Sequence, residues 1–432
     1  MTTVETAAFE EGKMTRRRWV ICGLLFTAVV INYVDRQMLG VLKPFMSDEM
    51  GWSETDYADI VFYFQAAYAA SYLLFGAFVD KVGAKIGYAT AFAIWQLAHI
   101  AHAGASSLNQ FFLVRVLLGI GEGGNFPGGV KAVTEWFPKK ERALATGIFN
   151  AGANIGAVIT PIAAPMIMLA YGWRAAFIIT GVIGMLWIVA WLIMYRAPEK
   201  EAKVNAAELA HIRSDPEDSD RKVGWLTVVG KRETWAYAAG KFLIDPVWWM
   251  LLFWLPDFFK KTFELDIPTF AGVLAAVYLI SDAGSVAGGW LSSRLMKNGH
   301  SLNFSRKITM LICAVFTLPY FFIMQIDNLW LATIVVGLVA AAHQAFSANL
   351  YTLPGDVFPR SAVGSVIGIG GMLGGIGGMV MAKSVGQVLE AAGGYAPIFA
   401  VCGGIYLLAV LVIHLLTPKM APARFPEIAA QA

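Results

Sequence analysis

Twelve stretches of about 20 mostly apolar residues divide this chain, each long enough to cross a hydrocarbon layer as an α-helix. They fall near residues 19–41, 57–79, 86–104, 108–130, 142–167 and 174–195, then 235–258, 268–293, 307–325, 328–350, 363–388 and 394–416. A backbone in lipid must satisfy its own hydrogen bonds, which leaves a helix bundle as the form such runs can take. Hydrophobic residues make up 57% of the 432 and charged residues 15%. Mean hydropathy is +0.60, a composition foreign to water-soluble globular domains. The expected fold is an all-α membrane protein with twelve transmembrane helices in two six-helix, pseudo-symmetric bundles.

The six-plus-six division rests on RAPEKEAKVNAAELAHIRSDPEDSDRKVGWLTVVGKRET, residues 196–234, which is rich in charge and poor in large apolar residues. The expected units are a bundle over 1–195, a linker over 196–234 and a second bundle over 235–432. A weak repeat agrees: GAFVDKVGAK (76–85) follows the second run and GWLSSRLMKNG (289–299) the eighth, each a glycine leading into a short basic loop. Such duplication accompanies solute sites near the midplane between halves. Basic residues recur on alternate loops: Arg16 to Arg18, Lys81 and Lys85, Lys139, Lys140 and Arg142, Arg294, Lys297, Arg306 and Lys307, Arg360, then Lys419 and Arg424. Acidic residues such as Asp48, Glu49, Glu54, Asp56 and Asp59 follow the first run instead. The positive-inside rule then puts both termini and the linker in the cytoplasm. The first run follows Lys13 and the Arg16 to Arg18 stretch and is too long for a cleaved signal core, so it is expected to stay as the first helix.

Several classes of function are disfavoured. A net charge of +3, with cations in loops rather than striped on one face, does not suit nucleic acid. Cys22, Cys313 and Cys402 sit in apolar runs without metal-ligand spacing and read as small core residues. Glycine runs such as IGIGGMLGGIGG (367–378) lie inside apolar helices and lack the strand that a phosphate cradle needs. With no metal cluster or nucleophile-base set in the pattern, the expectation is a protein that is not an enzyme and uses no cofactor.

Ions inside apolar runs are costly and functional by default. Asp35 and Arg36, in INYVDRQML, are about 100° apart on a helix; one is expected to point toward the fourth helix and the other into a central cavity. Arg115 and Glu122 are two turns apart on one face of the fourth helix, roughly 10 Å along its axis. In the second half, Lys241 and Asp245 have the i, i+4 spacing of a side-chain pair, followed by Pro246, which would loosen the helix at a gating position. That pair fits a structural role as well as a functional one. Asp282, His343 and Gln344 form a candidate polar network with Asp245, His343 fitting a core histidine or a proton relay. Lys383, near a helix end, could simply snorkel.

GAFVDKVGAK resembles the G-x-x-x-D-[RK]-x-G-[RK] loop of the major facilitator superfamily, with Gly76, Asp80, Lys81, Gly83 and Lys85 in place as a gating loop. LVRVLLGIGEGGNFPGG (113–129) and YGWRAAF (171–177) fit the same superfamily. NYVDRQ (32–37), GIFNAGANIGA (147–157), KFLIDPVWWMLLFWLPDFF (241–259), YLISDAGSVAGGWLSSRL (278–295) and AVGSVIGIGGMLGGIGG (362–378) resemble its anion:cation symporter family, in the hexuronate transporter branch. The resemblance implies the major facilitator fold in a bacterial inner membrane and uptake of a sugar-acid anion, glucuronate or galacturonate, with protons by alternating access. It implies that Arg36 contacts the substrate carboxylate, that Asp35 and Glu122 carry protons and that Arg115 is the switching partner of Glu122. Tyr33 and Tyr68 would hydrogen-bond the solute. Asn150, Asn154, Lys241 and Asn349 complete the expected substrate set, and NAGAN (150–154), where aldonate carriers have a glutamine near Ala153, favours a ring-form uronate. Such a carrier needs only protons, the anion and a lipid bilayer as partners and works as a monomer. Symport of another organic anion (an aldonate such as galactonate, tartrate or an aromatic acid) and a sugar-acid sensor without transport are the alternatives.

Overall fold

The structure is a computed structural model describing residues 14–214, 225–358 and 360–423, and within these it is helical, with no strand. The first half comprises α1 (Arg17–Met50), α2 (Glu54–Val82), α3 (Ala84–Ala101), α4 (Leu108–Glu122), α5 (Asn125–Trp136), α6 (Lys139–Tyr171) and α7 (Trp173–Met194). Two short helices follow, α8 (Ala206–Ile212) and α9 (Trp225–Val229). The second half comprises α10 (Arg232–Phe263), α11 (Ile267–Lys297), α12 (Leu302–Phe316), α13 (Leu329–Val357), α14 (Arg360–Ala392) and α15 (Ala396–Leu416). Local chemistry sets the boundaries. Helix α1 stops at Gly51, in the left-handed region at φ 66°, and Ser53 and Asp56 form a reciprocal capping box that starts α2. Gly83, at φ 84°, makes the tight turn from α2 into α3, a conformation that a side chain would strain.

The halves pack by the same rule. In the first, α1 lies on α6, α2 on α4 and α3 on α7; in the second, α10 lies on α14, α11 on α13 and α12 on α15. The contacts between halves repeat this symmetry. Helix α2 meets α14, α11 meets α6, and α1 meets α10. A pseudo-twofold axis between the halves would exchange the α2–α14 contact with the α11–α6 contact and α1 with α10.

Ten helical stretches among the described residues are long and apolar enough to span a membrane by themselves; the expected runs at 86–104 and 108–130 are not among them. Helix α3 spends polar side chains inside the bundle, burying Gln96 and His99 completely. The fourth run is broken into α4 and α5 around Gly123 and Gly124, where the Gly124 amide reaches back only three residues, to the Gly121 carbonyl. Two glycines let α4 wedge between its neighbours: a Cβ at Gly119 would sit 2.4 Å from the Phe64 carbonyl oxygen, and one at Gly121 would sit 2.4 Å from the Trp95 amide nitrogen.

The linker is more than a polar tether in its described part. Helix α8 presents the fully buried Glu208 to the start of α1, where its carboxylate accepts the backbone N–H groups of Arg17 and Arg18 at 3.0 and 3.1 Å and pairs with the Arg18 guanidinium at 3.0 Å. An anion is favoured there because the first amides of a helix have no internal partner. Partial burial would raise the Glu141 carboxyl, but hydrogen bonds from Arg18 and His211 hold it below its usual range. Arg424 and Lys13 lie outside the described residues, as do the side chains of Asp80, Lys139, Lys140 and Arg360.

Candidate functional site

Arg36 organises the centre of the bundle. Its side chain is buried, and its Nε donates to Glu122 Oε2 on α4 at 2.7 Å while Nη2 donates to Asn32 Oδ1 at 3.2 Å. Aromatic faces surround the guanidinium: Tyr33 at 5.1 Å, Tyr68 at 4.9 Å and Phe64 at 6.0 Å come from the first half, and Trp249 at 5.4 Å comes from α10. Such faces attract a cation and leave it partly dehydrated. Gln65 adds a fully enclosed amide with neither nitrogen nor oxygen bonded, close to Gly378 of α14 and so to the seam between halves. Trp249 and Gln65 are absent from the sequence-derived set. Their signal was present, an aromatic pair after Pro246 and an amide in an apolar run, but neither type is rare enough in membrane helices to stand out.

Asp35 takes a different direction from the one expected. It faces α3 rather than α4 or a central cavity: Oδ2 accepts Gln96 Nε2 at 2.6 Å and Trp95 Nε1 at 3.2 Å, and Oδ1 lies 3.2 Å from His99 Nε2. The roughly 100° between neighbours on a helix sends Arg36 to α4 and Asp35 to α3. Arg115, expected as the switching partner of Glu122, stands apart from it in this arrangement. It is not bonded to Glu122, which lies two turns away and is held by Arg36; its three guanidinium nitrogens are buried without a hydrogen bond, and its Cζ lies 5.4 Å from the Phe64 ring centre. A buried cation without a hydrogen bond carries a desolvation cost.

The second half brings Lys241 and Asp245 together as an ion pair at 2.7 Å, and Lys241 Nζ also donates to Tyr351 Oη at 2.7 Å. Pro246 does not interrupt α10, which continues through it to Phe263. Lys241 precedes Trp249 by eight residues, roughly 12 Å along the axis, so both stand on the same helix at different depths. Asn150 is exposed and Asn154 half-buried on α6. Asn349, expected in the substrate set, bridges helices in this structure: its amide nitrogen donates to the Gly288 and Ala345 carbonyls at 3.1 and 2.9 Å, joining α13 to α11. His343 is a satisfied core histidine, bonded through Nδ1 to Tyr406 Oη at 2.7 Å and stacked on Trp248. It does not join Asp245 in a network. Asp282 and Gln344 are half-buried on α11 and α13. Of the gating loop, Gly76 lies within α2, Lys81 is exposed, Gly83 forms the turn, and the Lys85 carbonyl accepts Trp191 Nε1 at 3.0 Å.

A second group of ions, unforeseen from sequence, ties the halves together where α1 meets α2. Lys43, 1% exposed, pairs with Asp257 of α10 at 2.7 Å and with Glu54 of α2 at 3.0 Å. Lys261 bonds Glu54 and lies 3.1 Å from Asp257 Oδ2, the same oxygen that accepts Tyr395 Oη at 2.5 Å. Tyr57 Oη donates to the Phe253 carbonyl at 2.9 Å, Glu390 accepts the Thr55 amide at 2.9 Å, and Lys383 pairs with Asp59 instead of snorkelling. This end of the bundle is closed.

Two six-helix halves related by symmetry, with a partly dehydrated arginine at their seam and one end sealed by ions from both, define a membrane transporter. A family model described as Major Facilitator Superfamily matches residues 25–382, and the chain belongs to that superfamily. It is similar to the "Hexuronate transporter" of Escherichia coli (strain K12), 31% identical over 407 residues, covering 93% of this chain and 94% of the relative. It is also similar to the "Galacturonate transporter" of Dickeya chrysanthemi, 29% identical over 325 residues, covering 71% and 94%. Among solved structures, an inward-facing, unoccupied bacterial homologue of the human lysosomal transporter Spinster shares the fold, with TM-score 0.70, 18% identity and coverage of 94% and 96%. These relatives are transporters rather than enzymes, and so is this protein.

Proposed function

We propose that the protein takes up a hexuronate anion together with protons by alternating access, with both termini in the cytoplasm. The observation that carries the reading is that Arg36 is bonded to an acid, Glu122, while aromatic faces from both halves enclose it. A sugar carboxylate entering that enclosure meets a guanidinium whose planar fork matches it, and the apolar side of a pyranose ring suits the faces of Tyr33, Tyr68 and Trp249. To bind, the carboxylate must compete with Glu122. A displaced Glu122 is a buried carboxylate with no partner, and its lowest-cost course is to take a proton; Arg115, on the same face of α4, is the second cation it could turn toward. Binding of the anion and uptake of a proton are thereby linked at one arginine. The names of the similar transporters support the substrate class, and Lys241 with Tyr351 offers polar groups for the far side of the solute.

In this orientation the Lys43, Asp257, Glu54 and Lys261 cluster seals the outer face, and its opening admits substrate from outside. The experiment is calorimetry of glucuronate binding in buffers of different ionisation enthalpy. The expected result is proton uptake on binding by the unsubstituted protein and none by Glu122→Gln. Binding without proton uptake in the unsubstituted protein would remove the exchange at Arg36.

A further inference from the structure

We propose that His99 is the group through which the Asp35 carboxyl gains and loses its proton, a role that rests on the proton-coupled reading above. Asp35 is 1% exposed and His99 is fully buried, and Nε2 of the imidazole stands 3.2 Å from Asp35 Oδ1, an oxygen with no hydrogen bond in this arrangement, so a small turn of the ring brings the two into line for proton transfer. The same Nε2 lies 2.8 Å from Thr180 Oγ1 on α7. The Thr180 hydroxyl donates to the Ala176 carbonyl at 2.7 Å, so its oxygen is left to accept, which places the imidazole hydrogen on Nε2. Nδ1 is then the basic nitrogen, and it has no hydrogen-bond partner.

The step balances. A proton arrives on Nδ1, the Nε2–H bond breaks and an Oδ1–H bond forms; imidazolium with carboxylate becomes neutral imidazole with neutral acid. The groups facing His99 set the direction of charge. Asp35 from α1 is the anion, Arg115 from α4 acts as the opposing cation, and α7 presents Thr180, Phe177 and Gly181, none of them ionisable. The neighbouring titratable group is His102, one turn nearer the helix end, with ring centres 6.2 Å apart. His102 Nδ1 bonds the Ala98 carbonyl at 2.8 Å, which leaves its Nε2 as an unbonded base. Transfer between the two imidazoles at that separation would need a bridging water. The relay so drawn runs from His102 through His99 to Asp35.

Helix α7 is shaped for this arrangement. A Cβ at Gly184 would lie 2.2 Å from the Gln96 side-chain carbon and one at Gly181 would lie 2.3 Å from Ile100, so both glycines make room for the face of α3 that holds Asp35.

The test is labelled glucuronate transport in proteoliposomes by the full chain and by His99→Gln, with proton entry followed by a dye trapped inside. Glutamine keeps a donor to Asp35 but cannot pass a proton. The expected result is gradient-driven accumulation and glucuronate-dependent proton entry reduced roughly tenfold or more, with counterflow of preloaded glucuronate continuing. Thr180→Val, which frees the imidazole tautomer, should move the pH profile of uptake in the same preparation. Accumulation by His99→Gln at the unsubstituted rate would overturn the proposal, as would loss of counterflow in a variant that still elutes as a single folded species, since that marks a structural role. Failure of the unsubstituted protein to accumulate glucuronate on a proton gradient removes the coupling reading itself, and the relay with it.

Discussion

Substituting Asp257 with asparagine should open the sealed end of the bundle. The cluster there holds two cations, Lys43 and Lys261, against two carboxylates, Asp257 and Glu54, and only two of its ion pairs cross between halves: Lys43 with Asp257 and Lys261 with Glu54. Asp257→Asn removes one of them, weakens the bond from Tyr395 and leaves one uncompensated positive charge in a buried place. A hydrogen bond to a charged group contributes about 1.5–3 kcal/mol, and each 1.4 kcal/mol is about tenfold in an equilibrium. The closed-to-open ratio at this end should therefore fall roughly 10- to 100-fold, turning a minor open population into a measurable one. Electron-electron distance measurement between spin labels at Asp48→Cys and Ala391→Cys, exposed positions on α1 and α14 at this end, reads that population directly. Cys22, Cys313 and Cys402 are buried and should escape labelling. The distance distribution should gain a longer component in Asp257→Asn that is weak or absent without it. An unchanged distribution, in protein that remains folded, would show that these ions do not hold the halves together.

Other consequences follow from the same geometry. Arg36→Lys should weaken glucuronate binding about tenfold or more, because a point-like ammonium replaces a two-pronged donor; titration calorimetry measures the loss. Glu122→Gln should abolish proton-driven accumulation while exchange of preloaded solute continues, and loss of both would make that carboxylate structural. Gly184→Ala should push Gln96 off Asp35 and slow proton-driven uptake more than exchange, which a paired transport assay separates. Glu208→Ala strips the start of α1 of its anion and leaves Arg18 with Glu141 as its remaining carboxylate partner; breaking one side of a buried ion pair costs about 3–5 kcal/mol, read as a lower Tm by several degrees.

Ten of the twelve expected membrane-crossing runs, in their order, were legible because hydrocarbon thickness imposes a length that composition reveals. Buried ions were legible for the converse reason: Asp35, Arg36, Arg115 and Glu122 stand out in apolar surroundings. Their pairing was not. Arg36 and Glu122 are 86 residues apart, and the choice between Arg36 and Arg115 depends on how far α4 sinks between α2 and α3, a distance set by Gly119 and Gly121. The sealing cluster was hidden because Lys43, Glu54, Asp257 and Lys261 sit near run ends, where a charge is ordinarily solvated, and the α1–α10 contact buries Lys43 and Asp257. The role of α3 was hidden differently. Gln96 and His99 have the i, i+3 spacing of one helix face, but a polar face in an apolar run does not name what it faces.

In the proposed mechanism, protons drive transport of a sugar acid through the Arg36 and Glu122 pair. Uptake of labelled glucuronate into proteoliposomes, with and without an inward proton gradient and with unlabelled galacturonate, galactonate and tartrate as competitors, tests it most directly. Accumulation should require the gradient, be blocked by galacturonate and be lost in Glu122→Gln. Equal uptake with and without the gradient, or uptake that galactonate or tartrate blocks and galacturonate does not, would contradict it.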